Sequence, residues 1–148
     1  MKFAFPDNAV KEGHGDCHIL HTIKEGTLTV YPHFHWSSNE ATPSGNVAWK
    51  VECTSARGHG QDAFHAPIVD VIPPQACTAQ YQHMVAESTG LAISNIEPDM
   101  EILIRVYRDT ADAADTLVGD AFLLRVDFHV EVDSRPTHEK VNPFTKVV

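Results

Sequence analysis

Histidine is the residue type that best equips this chain for chemistry: ten occur among 148 residues, and two of them form the pair His33-x-His35. Imidazole is the commonest metal ligand among side chains, and the one whose charge changes nearest neutral pH. The pair, with His129 as a third ligand, is therefore a candidate transition-metal site. Other reactive constellations are missing from the sequence. There is no Gly-x-Ser-x-Gly, no glycine-rich phosphate loop and no His-Glu-x-x-His. Cys17, Cys53 and Cys77 are an odd number at wide spacing with no Cys-x-x-Cys, which reads as free thiols rather than a disulfide scaffold or zinc knuckle. Gly58-His59-Gly60 reads as a turn carrying an accessible histidine.

What the pair can do depends on which way its strand faces. Over Thr27–Trp36 the side chains alternate, with Leu28, Val30, Phe34 and Trp36 on one face and Tyr31, His33 and His35 on the other. If the apolar set faces the core, both histidines face away from it. Asn46–Thr54 alternates in the same way, with Val47, Trp49, Val51 and Cys53 inward, and a turn at Pro43-Ser44-Gly45 suggests that the two segments form a hairpin. Met100–Arg108 and Ala121–Val132 are two later strands. In the second, Phe122, Leu124, Val126, Phe128, Val130 and Val132 make the expected core face. The polar face beside the histidines is then expected to include Lys50, Glu52, Arg125, Asp127, His129 and Glu131.

Between the late strands, Asp109–Thr116 reads as a solvated acidic tip with room for a short helix. Glu101, Arg105, Arg108 and Asp109 read as exposed pairs worth at most about 1 kcal/mol each. Pro67–Ile72 and Cys77–Val85 read as strands, whereas Thr89–Glu97 is ambiguous. Helical spacing never persists. The expectation is an all-β chain, an antiparallel β-sandwich of jelly-roll type, with an N-terminal arm over 1–12, the sandwich over 13–134 and a C-terminal tail over 135–148.

A formal charge of −9 argues against direct nucleic-acid binding, which needs clustered Lys and Arg. With 43% apolar and 21% charged residues the composition is that of an ordinary globular domain. No stretch is long and apolar enough for a membrane span. The start, Met1-Lys2-Phe3-Ala4-Phe5-Pro6, breaks too early for a signal peptide, so a cytosolic origin is expected.

Pro32-His33-Phe34-His35-Trp36, Gly45–Glu52, Arg105–Asp109 and Gly119–His129, in that order, resemble segments of small structural proteins of tailed-bacteriophage virions. These in turn are similar to jelly-roll decoration or cement proteins of capsid shells. The resemblance implies a non-enzymatic protein without a cofactor, assembled in the bacterial host cytoplasm and placed on the capsid exterior. Its implied partners are the major capsid protein and other copies of itself, as a dimer or trimer. Under that reading the candidate contact residues are Phe3 and Phe5 in the N-terminal arm, His33, His35, Arg125, Asp127 and His129 on the polar face, and Arg135 and Phe144 in the tail. A tail or head-fibre component is the alternative within the same class. A cupin-like metal protein using His33-x-His35 is the alternative from another class, although its pair would have to point inward. A carbohydrate-binding sandwich stacking sugars on Tyr31 or Tyr107 is a further one.

Overall fold

Side chains that alternate as far as Trp36 build Gly26–Ser38 (β3), at thirteen residues the longest strand among the described residues. The structure, a computed structural model, describes residues 3–19 and 26–130. In the first sheet β3 lies between Ala121–Val130 (β11) on one side and two shorter strands, Met84–Glu87 (β8) and Leu91–Ile96 (β9), on the other; Phe3–Phe5 (β1) extends the sheet beyond β11. The second sheet has the order Glu12–His18 (β2), Glu101–Arg108 (β10), Trp49–Ala56 (β5) and Ile68–Val71 (β6). Asn46–Val47 (β4) and Gln75–Ala76 (β7) form a small ribbon. Every one of these pairings is antiparallel. The described residues contain no helix. The chain is an all-β, antiparallel β-sandwich, as its alternation predicts.

The core lies between the sheets. Leu28, Val30, Phe34 and Trp36 point inward from β3, Trp49, Val51 and Cys53 from β5, and Ile102, Ile104 and Val106 from β10; all are buried. Trp49 is the aromatic centre: Phe5 meets it edge-on at 5.3 Å, Phe34 stacks at 5.4 Å and Trp36 lies at 6.3 Å. Such pairs contribute about 0.5–1.5 kcal/mol each beyond the area they bury.

Pro32 is buried in the middle of β3, where a proline normally breaks a ladder. Its neighbour is interrupted at the same place. Leu91 of β9 pairs with Val30 and Glu87 of β8 with His33, and between them Ser88 donates its backbone N–H to the Pro32 carbonyl at 2.9 Å. A residue's N–H and C=O leave a strand on the same side, so the missing donor of Pro32 faces this interruption and no partner loses a bond.

Several expectations change. β3 and β5 lie in different sheets and form no hairpin, because the 39–45 connection carries the chain across the sandwich. The register of β11 shifts between Leu123 and Arg125. Ala121 and Leu123 are therefore inward while Leu124 is exposed; beyond the shift Val126 and Phe128 pack on the core as expected. Phe3–Phe5, expected in an arm, pairs with β11, and Phe5 is buried. Thr89–Glu97 resolves into β9, and Cys77–Val85 is mostly a turn ahead of β8. Val132, Glu131 and the expected tail over 135–148 lie outside the described residues.

The 109–116 segment is a series of turns rather than a solvated tip, and Arg108 is not an exposed residue. The Arg108 side chain is 1% exposed and that of its partner Asp115 is 4%. Its Nε donates to Asp115 Oδ2 at 2.9 Å and Nη2 to Oδ1 at 2.6 Å; Nη1 reaches the carbonyls of Gly119 at 2.7 Å and Phe5 at 3.2 Å, and Nη2 also reaches that of Leu117. Asp115 Oδ2 further accepts the Ala48 backbone N–H at 2.9 Å. Removing one member of a buried pair strands the other without water. Arg108→Ala is predicted to lower stability by about 3–5 kcal/mol in urea unfolding, whereas Arg105→Ala, on the solvated face of the same strand, should cost no more than about 1 kcal/mol. Equal effects would place Arg108 at the surface.

Candidate functional site

The outer face of the first sheet gathers the histidines. Alternation turns Tyr31, His33 and His35 outward from β3. The register shift in β11 then sets Arg125 opposite His35, Asp127 opposite His33 and His129 opposite Tyr31. Without the extra residue at Leu124, an unbroken alternation from Ala121 and Leu123 would turn Arg125, Asp127 and His129 into the core. On the other flank β8 places Glu87 opposite His33 and Val85 opposite His35.

Diagonal contacts bind this face together, as expected for long side chains across a pleated sheet. His35 Nε2 lies 3.2 Å from Asp127 Oδ2, and Arg125 donates from Nε to Asp127 Oδ1. His33 and His129 stack with ring centroids 4.1 Å apart. His83, just before β8, brings its Nε2 to 2.9 Å from His35 Nδ1. The Arg125 guanidinium, with His35 and His129 beside it, holds the Asp127 carboxyl below the usual carboxylate range.

The proposed ligands His33, His35 and His129 are thus neighbours, but they do not converge. His33 and His129 meet face to face, and His35 spends its two nitrogens on Asp127 and His83. Among the described residues no three His, Cys, Asp or Glu side chains are grouped so as to hold a metal ion. The pair also faces out of the sandwich, alternating with buried Phe34 and Trp36, which is not the inward geometry of a cupin site.

Lys50 and Glu52, expected on the histidine face, belong to the second sheet and form a separate network. Arg105 binds Glu12 on β2 and Glu52 on β5, at 2.8 Å for the latter, and lies over the Tyr107 ring at 4.4 Å. Tyr107 donates to Glu52 at 3.2 Å. Lys50 binds Asp109 and, at 3.3 Å, Asp112. Tyr107 is therefore engaged in this network, and the Tyr31 ring lies against Gly90.

Of the other contact candidates, Phe3 is 58% exposed and borders a cleft between β1, β2 and β11, about 550 Å³ in volume, with Leu123, Leu124 and Phe128 among its walls. Phe5 also lines that cleft but is buried. Arg135 and Phe144 lie outside the described residues. Sequence reasoning missed His83 and Arg108. His83 carries no periodic signal, being in a turn; Arg108 had one, because it follows Ile102, Ile104 and Val106 at inward parity.

No protein-family model, curated protein or solved structure was found to match the chain.

Asp109 and Asp112 are held below the carboxylate range, Asp109 chiefly by Lys50 and Asp112 chiefly by the Ala114 backbone N–H with Lys50 second; Lys50 is raised, chiefly by Asp109. The carboxylates' contribution is present above the unfolded carboxylate value of about 3.9 and is lost as pH falls through their depressed folded values. That of Lys50 is present below its unfolded value and is lost as pH rises through its raised one. Unfolding free energy should form a plateau between these limits, and Lys50→Met should flatten the alkaline fall and shrink the acid one; unchanged limbs would show that the network does not couple to folding.

Cys53 and Cys77 are buried free thiols, while Cys17 is half-buried. Burial, with Asp70 and Cys17 adding to it, pushes the Cys53 thiol up to about 11. Iodoacetamide labelling of the native protein at about pH 8 should modify Cys17 well before Cys53 and Cys77, as read by peptide mass spectrometry; equal rates would place Cys53 near solvent.

Proposed function

We propose that the protein is a non-enzymatic structural component of a tailed-bacteriophage virion, a decoration or cement protein that binds the outer surface of the major capsid protein shell as a homo-oligomer. The observation that carries this reading is strand order. Taking β8 and β9 as one interrupted strand and leaving the β4–β7 ribbon aside, eight strands remain. The chain passes from sheet to sheet at every step except the β5–β6 hairpin: β1 and β3 in the first, β2, β5 and β6 in the second, then β8/β9, β10 and β11 alternating. We read that winding as the double Greek key of a jelly roll, an architecture used in viral shells. It agrees with what the sequence resemblance implies.

The surface suits a scaffold role. Arg105 joins Glu12 and Glu52 across strands, and exposed apolar side chains occur at two sheet margins, Phe3 and Leu124 at the β1–β11 cleft and Ile68, Val69 and Val71 on β6. Apolar groups of this kind at a rim are suited to burial against a partner. Under this proposal the contact surface joins Phe3, Arg125 and His129, with Asp127, His33 and His35 behind them.

Co-sedimentation of the purified protein with shells of its own phage that lack it, followed by electron microscopy, tests the proposal. Saturable binding at fixed lattice positions is the expected result. Binding to purified tails or fibres in place of expanded shells would move the protein to the tail or head fibre, and binding to neither would overturn the virion reading.

A further inference from the structure

The contact between His35 and His83 has a geometry that limits how many protons it can hold. The two ring nitrogens are 2.9 Å apart while the ring centroids are 5.1 Å apart and the planes differ by 25°. The centroid separation exceeds the nitrogen separation by about two ring radii, so the nitrogens point at each other head-on. Such a line accommodates one hydrogen. Asp127 faces His35 Nε2, which favours the tautomer with its proton on Nε2 and leaves Nδ1 as acceptor for the Nε2–H of His83.

One added proton fits this arrangement. It goes to the free Nδ1 of His83, and the resulting imidazolium donates a charge-assisted bond to neutral His35. A second added proton does not fit, because Nδ1 of His35 and Nε2 of His83 would then both carry hydrogens, pointing at each other on two cations. The other titratable and charged groups around the pair are Asp127, Arg125 and His129 from β11, His33 from β3 and Glu87 from β8, with Tyr81 two residues before His83 in the turn. Asp127 is already paired with Arg125, so it cannot offset both new charges.

His83 closes the Thr78–His83 turn, which folds over the end of β3. Tyr81 donates its backbone N–H to the Ser38 carbonyl at 2.8 Å, and the Gln80 side chain donates to that of Asn39 at 2.7 Å. Tyr81 is 67% exposed and sits at a φ of 57°, a left-handed conformation unfavourable to a bulky residue. The turn is thus tethered at a few points and strained at one.

We propose that the His35–His83 pair is an acid-operated latch that survives its first protonation and opens at the second, releasing the Thr78–His83 turn from the outer face of the first sheet. The latch stands on these contacts alone, whatever the sandwich binds.

Amide hydrogen exchange, corrected for the intrinsic effect of pH, tests it on the full chain. Between about pH 8 and about pH 5, protection at the Tyr81 amide is expected to fall roughly tenfold or more while the amides of β5 and β10 keep theirs. In His83→Gln, a surface substitution that can donate to His35 but cannot take up a proton, protection at Tyr81 should be the same at both pH values. A wild-type protein with no fall overturns the latch, as does an equal fall in the variant. A fall shared by β5 and β10 also overturns it, since that is unfolding of the sandwich and not release of the turn.

Discussion

A guanidinium cut off from water has to find its hydrogen bonds in the protein, and Arg108 finds them in four places at once. It stands at the end of β10 and binds Asp115, the carbonyls of Leu117 and Gly119, and the carbonyl of Phe5 in β1, while Asp115 holds the backbone of Ala48 just ahead of β5. Because β1 belongs to one sheet and β10 and β5 to the other, this cluster ties the layers together at the end where Phe5 and Trp49 meet. Taking such a pair out of water is expensive, and only full satisfaction of its donors and acceptors offsets the cost. The 109–119 segment, which has no regular structure of its own, is shaped by that demand. Gly45 follows from it: with a φ of 124° and its α-carbon against the Thr116 backbone, the position has no room for a side chain.

With the layers so joined, the two outer faces diverge in character. The face built on β2, β10 and β5 pairs permanent charges, Arg105 with two glutamates and Lys50 with two aspartates. The face built on β3, β8 and β11 pairs groups whose charge depends on pH. Histidine is not confined to that second face, since His14 on β2 lies 3.3 Å from Glu12 beside Arg105.

How much of this was legible from the residues can be judged element by element. The all-β class and the inward faces of β3, β5 and β10 follow from alternation, which is a local property. Strand partners are not local, and for that reason β3 and β5, separated by one turn signal and the short β4, looked like a hairpin although they lie in opposite sheets. The bulge in β11 was hidden for a different reason: Phe122-Leu123-Leu124 is apolar at both parities, so no side chain there marks which one is buried. Of the candidate site, the outward direction of His33 and His35 was legible, as was their sharing a face with Arg125, Asp127 and His129. The part played by His83 depends on a turn folding over a strand more than forty residues earlier.

The handover at Pro32 reaches beyond local hydrogen bonding. By dividing the outer neighbour of β3 into β8 and β9, with Ser88-Thr89-Gly90 turning out between them, the fold leaves no long straight run of free backbone donors and acceptors along that margin. At the opposite corner β6 is only four residues long and is bracketed by Pro67 and Pro73. Sheets polymerise into fibres by adding strands to such margins. At these two margins, though not along the seven-residue edge strand β2, copies crowded side by side meet through side chains, so that resistance to strand addition is built into the path of the backbone and does not rest on net charge alone.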